Sequence, residues 1–129
     1  MIRFRKTAAK LYLINLALLA THEIDSAFWH EWKLFGLPGG IDLFLILNLA
    51  LLLLFLYGFE KVVEWKKGAP AFSYFLAASG IFAFGIHSYF ILNGNPEFTS
   101  VISYGILALT FVISLAQVVV TTLITRHTQ

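Results

Sequence analysis

Residues 43–59 read LFLILNLALLLLFLYGF, with no charged side chain and one amide, Asn48. No surface of a water-soluble helix tolerates that run. Extended to residues 41–60, it reaches the roughly 20 residues that an apolar helix needs to cross a bilayer. Three further apolar segments flank it, at about 10–30, 71–92 and 98–124. The breaks between them are GLPGG (36–40), KKGAP (66–70) and NGNPE (93–97), all rich in turn-forming residues. Short connections place consecutive helices side by side and antiparallel. The expected fold is therefore all-α: an integral membrane four-helix bundle, up-down-up-down, with residues 1–129 forming a single transmembrane domain.

Composition agrees. Hydrophobic residues make up 59% of the 129 and charged residues 12%, against about 25% charged in soluble domains. Such a chain cannot hide its apolar surface in a small globule, so lipid must solvate much of it. Cysteine is absent, which excludes disulfides, thiolate metal sites and cysteine catalysis. The basic start MIRFRK is followed by no small-residue cleavage site, so the first apolar segment reads as a retained membrane helix.

Of the nine basic residues, Arg3, Arg5, Lys6 and Lys10 precede the first segment, Lys61, Lys66 and Lys67 follow the second, and Arg126 follows the fourth. Lys33 alone falls on the other side. By the positive-inside rule both termini are cytoplasmic, and the expected location is a bacterial cytoplasmic (inner) membrane. The expected partners are the bilayer, a lipid or other hydrophobic small molecule, and further copies of the chain. No nucleic acid is expected, because the basic residues lack a groove-reading or aromatic context.

The first segment ends unlike the others, in THEIDSAFWHEW (21–32). With His22 at 0° and about 100° per residue, Asp25 falls near 300°, Ser26 near 40°, His30 near 80° and Glu23 near 100°. These residues share one arc, and Asn15 lies at its centre two turns deeper. A carboxylate facing lipid is costly, so the arc should face the bundle interior. Glu31 falls near 180° on the same wheel, and is expected at the surface. At 1.5 Å per residue, His22 stands roughly 18 Å, Asp25 about 22 Å and His87 roughly 25 Å above the cytoplasmic helix ends. Asp42 starts the second segment at a similar level. Three helices can therefore converge in the outer leaflet.

His22 and Asp25, one turn apart, with His30 and His87, offer nitrogen and oxygen ligands suited to zinc or iron. Glu23 is then the candidate catalytic residue, a general base beside a metal-bound water. Ser26, Asn15, Asp42 and Tyr104 are candidate supporting residues. The competing structural reading is a polar plug of His22–Asp25 and Glu23–His87 pairs that locks the helices together. A third reading is a redox module binding a quinone or haem b, with His22 and His87 as axial ligands. A small proton-coupled exporter is a fourth, disfavoured by the one-sided basic residues. The small residues Ser73, Ala77, Gly80 and Ala83 allow close helix packing or leave room beneath His87. In the fourth segment, Ser103, Thr110, Ser114, Gln117 and Thr121 mark one inward face. Trp29, Trp32 and Trp65 read as interfacial belts.

The stretch HEIDSAFWHEW resembles a family of small bacterial four-helix membrane proteins with a HEIDSA-aromatic-W-x-E-W signature. More distantly it is similar to the membrane family named for an H-x-x-E-E motif. There His22 matches the histidine, while Asp25 and Ser26 stand where that motif has its two glutamates. The resemblance implies the four-helix topology and an important first helix. It implies no particular reaction.

Overall fold

A computed structural model describes residues 1–128. It contains five helices: α1 (Ile2–Phe28), α2 (Glu31–Leu34), α3 (Gly40–Glu64), α4 (Ala69–Leu92) and α5 (Val101–His127). No strand occurs among the described residues. The count corrects the expected four. The segment expected at 10–30 is a single helix, α1, that starts earlier, at Ile2, and ends at Phe28; the additional helix is the single turn α2 that follows it. The others expected at 41–60, 71–92 and 98–124 run 40–64, 69–92 and 101–127. Extension of α1 through Arg3, Arg5 and Lys6 follows from the absence of any glycine or proline there to stop it.

Chain reversal has local causes. Gly39 and Gly68 precede α3 and α4 at φ 85° and 92°, a region that side chains disfavour. Pro70 occupies the first turn of α4, where its missing N–H is harmless. Ser100 caps α5, its hydroxyl accepting from the Ser103 amide at 3.0 Å.

Three helices, α3, α4 and α5, are long and apolar enough to cross a membrane. Polar side chains are buried beside an apolar core, while many leucines face outward. Fully buried positions include Asn15, Ser73, Thr110, Ser114, Gln117 and Thr121, whereas Leu49, Leu53 and Val112 are more than half exposed. On α5 the buried positions Ser103, Leu107, Thr110, Ser114, Gln117, Thr121 and Ile124 recur every three or four residues, the spacing of one helix face.

Hydrogen bonds join these seams. Asn15 Nδ2 donates to Ser114 Oγ at 2.9 Å and to Gln117 Oε1 at 3.0 Å. Thr110 Oγ1 donates to Asn15 Oδ1 at 3.3 Å. Gln117 Nε2 donates to the Ser73 carbonyl at 2.8 Å and to Ser73 Oγ at 3.1 Å. Tyr12 ties α1 to α3 through the Phe55 carbonyl, 2.8 Å away. A Cβ on Gly80 would collide with Ser114 Oγ and meet Thr110 Cγ2 at 3.0 Å. Gly80 therefore serves close approach to α5, whereas Ala83, nearer His87, lines an open cleft. These contacts fix α1, α4 and α5 against one another, while α3 packs on them through Phe55, Gly58 and Val62 in its second half and Phe44 near its start.

Candidate metal centre and membrane cleft

The local backbone around residue 30 builds the site. α1 stops at Phe28, and Trp29 Nε1 donates to Asp25 Oδ1 at 3.0 Å. His30 then adopts a left-handed conformation, φ 54° and ψ 50°. This breaks the helical phase that predicted a surface Glu31. The chain turns back, and Glu31 enters the protein at 8% exposure. The surface assignment of Glu31 is corrected for that reason.

Glu31 meets the two histidines that the sequence placed at similar depth. Among the described residues, His22, Glu31 and His87 form a group whose ligand atoms all lie within 4.8 Å of one another. Both histidines are 1% exposed. Glu31 Oε1 and His87 Nε2 are 3.1 Å apart, at ion-pair distance but off the line of a hydrogen bond. As a result His87 Nδ1 and Nε2, with His22 Nδ1, are buried ring nitrogens without hydrogen-bond partners. Ser26 Oγ stands 3.4 Å from His22 Nε2, a marginal contact. Burial pushes the Glu31 carboxyl up, but its contacts with His87 and Ser26 and the fields of both histidines outweigh this and hold it below the usual carboxylate value.

Unpaired buried nitrogens are rare because each forfeits its hydration. Each ring can offer one nitrogen to an ion, and two such rings around one carboxylate suit a shared cation. Tetrahedral ligands about 2.1 Å from one ion stand about 3.4 Å apart, so separations of up to 4.8 Å need to close by at most about 1.4 Å. Small side-chain rotations supply that. The residues therefore fit a metal ion. They do not fit a haem shared by His22 and His87. Those rings meet edge to face with centroids 4.7 Å apart, which leaves no slot for a macrocycle between them.

Aromatic residues seal the group. Phe98, from the segment joining α4 to α5, is 1% exposed and lies 4.0 Å from the His87 ring centre and 5.6 Å from that of His22. It holds this place from a left-handed backbone, φ 61°, which a bulky residue seldom adopts.

On the opposite side the group opens into a cleft of about 660 Å³ between α1, α3 and α4. His22, Glu23, Glu31 and His87 all line it, as does Asn48 of α3. The rest of the wall is nearly all apolar, from Leu16, Leu19, Leu49, Phe55 and Phe75 among others.

The remaining sequence candidates lie elsewhere. Asp25 is engaged by Trp29 and is outside the three-residue group. His30 is exposed and packs edge-on against Trp32, 5.2 Å between ring centres. Ser26 borders His22. Asn15 belongs to the polar ladder with α5. Asp42 is exposed in the first turn of α3. Tyr104 is exposed beside Phe84, at 6.2 Å. Sequence reasoning missed Glu31 and Phe98. The only sequence signal for Glu31 was its place between Trp29 and Trp32, directly after His30. Phe98 carried none.

Residues 8–124 match the family of unknown function DUF6713, and the chain belongs to that family. No curated protein and no solved structure matches it.

Proposed function

We propose that this DUF6713 protein is a multi-pass membrane protein with a zinc or iron centre at His22, Glu31 and His87, acting on a lipid or other hydrophobic substrate. The single observation that carries this reading is the group of unpaired, buried imidazole nitrogens around one carboxylate, opening into an apolar cleft.

The four long helices then cross the membrane up-down-up-down as a single domain. α1 crosses despite its polar residues, because Asn15, His22 and Ser26 are buried while Leu13, Ile14, Ile24 and Phe28 are exposed. The basic residues at the starts of α1 and α4 and the ends of α3 and α5 make that end, and both termini, cytoplasmic. The metal centre then belongs to the outer half of a bacterial inner membrane.

Two nitrogens and one carboxylate oxygen match the three-ligand pattern of catalytic zinc sites, which leaves a coordination position for water or substrate. A bound metal there supplies Lewis acidity and lowers the pKa of its water. Glu23 lines the same cleft without belonging to the ligand group. With a metal held there, Glu23 would be the residue placed to take up a proton within the cleft. Phe98 excludes bulk water from the far side.

Elemental analysis of protein purified in mild detergent without chelator tests the reading. About one zinc or iron per chain is expected, and little in His22→Ala or His87→Ala. Wild-type protein that carries no stoichiometric metal, even after incubation with zinc and with iron(II), overturns it.

A further inference from the structure

We infer that the cleft between α1, α3 and α4 seats one acyl chain of a membrane lipid, with the lipid's polar end at His22 and His87. The placement of the polar end rests on the metal reading above. The seating of the chain rests on the cleft alone.

Four features of the cleft point to this occupant. First, its polarity is sorted along its length. His22, Glu23, Glu31, His87 and Asn48 cluster toward one end, while Phe55 and Phe75 close the other. Ser79, the one hydroxyl deeper in the wall, is occupied by the Phe75 carbonyl at 2.9 Å. A ligand polar at one end and apolar throughout the rest matches that order.

Second, the length fits. Phe75 and His87 both line the cleft on α4, and a helix rises about 18 Å between them. One leaflet of hydrocarbon is about 15 Å deep, half of the roughly 30 Å core. The cleft runs along the helices, as acyl chains run in a bilayer. Its volume of about 660 Å³ lies within the usual range of small-ligand sites, about 300–1,000 Å³.

Third, the mouth opens sideways. Leu45, Leu49 and Phe82 line the cleft and are 55%, 59% and 65% exposed. On a membrane-spanning bundle those surfaces face lipid, so a chain enters laterally without leaving the hydrocarbon. Fourth, Phe98 closes the other approach to the histidines.

Photo-crosslinking tests the inference. The full chain is placed in nanodiscs of phosphatidylglycerol that carries a diazirine on one acyl chain, and labelled residues are mapped by mass spectrometry. Labelling of Leu49, Leu52, Phe75 and Phe82 is expected to exceed at least fivefold that of Val112, Leu115 and Val119. Those α5 residues are exposed to bulk lipid at 58%, 45% and 57%. Filling the cleft with Ala20→Phe and Ala78→Trp should reduce its labelling to the α5 level while metal content stays unchanged. Equal labelling of the two faces in the wild-type protein overturns the inference, whatever the filled variant does. Strong cleft labelling in protein without metal sustains the acyl-chain site and removes only the metal reading.

Discussion

Glu31 Oε1 stands 3.1 Å from His87 Nε2, although Glu31 belongs to a four-residue helix beyond the end of α1 and His87 lies near the end of α4. The contact brings a carboxylate from an apparent loop into a buried pair of histidines. A structural plug would pair its ring nitrogens with donors or acceptors. Here His87 meets only the Glu31 carboxylate, off the line of a hydrogen bond, and His22 Nδ1 and His87 Nδ1 have no partner at all, which is why the arrangement is better read as a ligand set than as helix-packing glue.

Glu31 and Asp25 can be separated experimentally. Glu31→Gln should weaken zinc affinity by more than the about 10–100-fold typical of losing an outer-shell partner. Asp25→Asn and His30→Ala should leave it within a few fold. Competition with a zinc-binding dye in detergent measures all three. Retained affinity in Glu31→Gln with loss in Asp25→Asn would reassign the carboxylate ligand.

Phe98 should control access from water. Phe98→Ala is expected to speed removal of the metal by a soluble chelator at least tenfold. Phe98→Gly opens the same space but relieves the left-handed backbone at φ 61°, so it should be more stable than Phe98→Ala by about 1 kcal/mol. Chelation kinetics and thermal unfolding together check this. Equal chelation rates in wild type and Phe98→Ala would remove the seal.

Gly80 permits the approach of α4 to α5. Gly80→Ala places a methyl group against Ser114 Oγ and should destabilise by about 1–3 kcal/mol, the usual range for overpacking. Adding Ser114→Ala removes the obstructing oxygen and should recover part of that loss. Unfolding in mixed micelles measures the cycle. Strictly additive effects would show that the two positions do not meet.

Gln117 links three helices through Asn15 and Ser73. Hydrogen bonds between membrane helices contribute about 0.6–2 kcal/mol each. Gln117→Leu should therefore destabilise by about 1–3 kcal/mol, and a cycle with Asn15→Ala should show coupling of about 0.5–2 kcal/mol. Metal content should be unaffected, because the ladder lies below the histidines. A Gln117→Leu protein as stable as wild type would contradict the role of the ladder.

Much of this was readable from the sequence because it depends on local periodicity. The apolar runs located α3, α4 and α5 to within a few residues. The row Ser103, Thr110, Ser114, Gln117 and Thr121 predicted the buried face of α5, since a continuous helix keeps its phase over many turns. Rise per residue also brought His22 and His87 to a common level. What sequence phase could not carry was anything past Phe28. Once His30 turns left-handed, the helical wheel no longer applies, and Glu31 moves from the predicted surface to the buried group. Asp25, expected as a ligand, is instead engaged locally by Trp29 and lies outside the group. Sequence by itself thus determined the helices, their inward faces and the two histidines, because helix geometry is regular. Tertiary structure alone decided the third member of the site, the aromatic seal of Phe98 and the cleft beside α3, because each depends on where a chain reversal or a gap between helices falls in space.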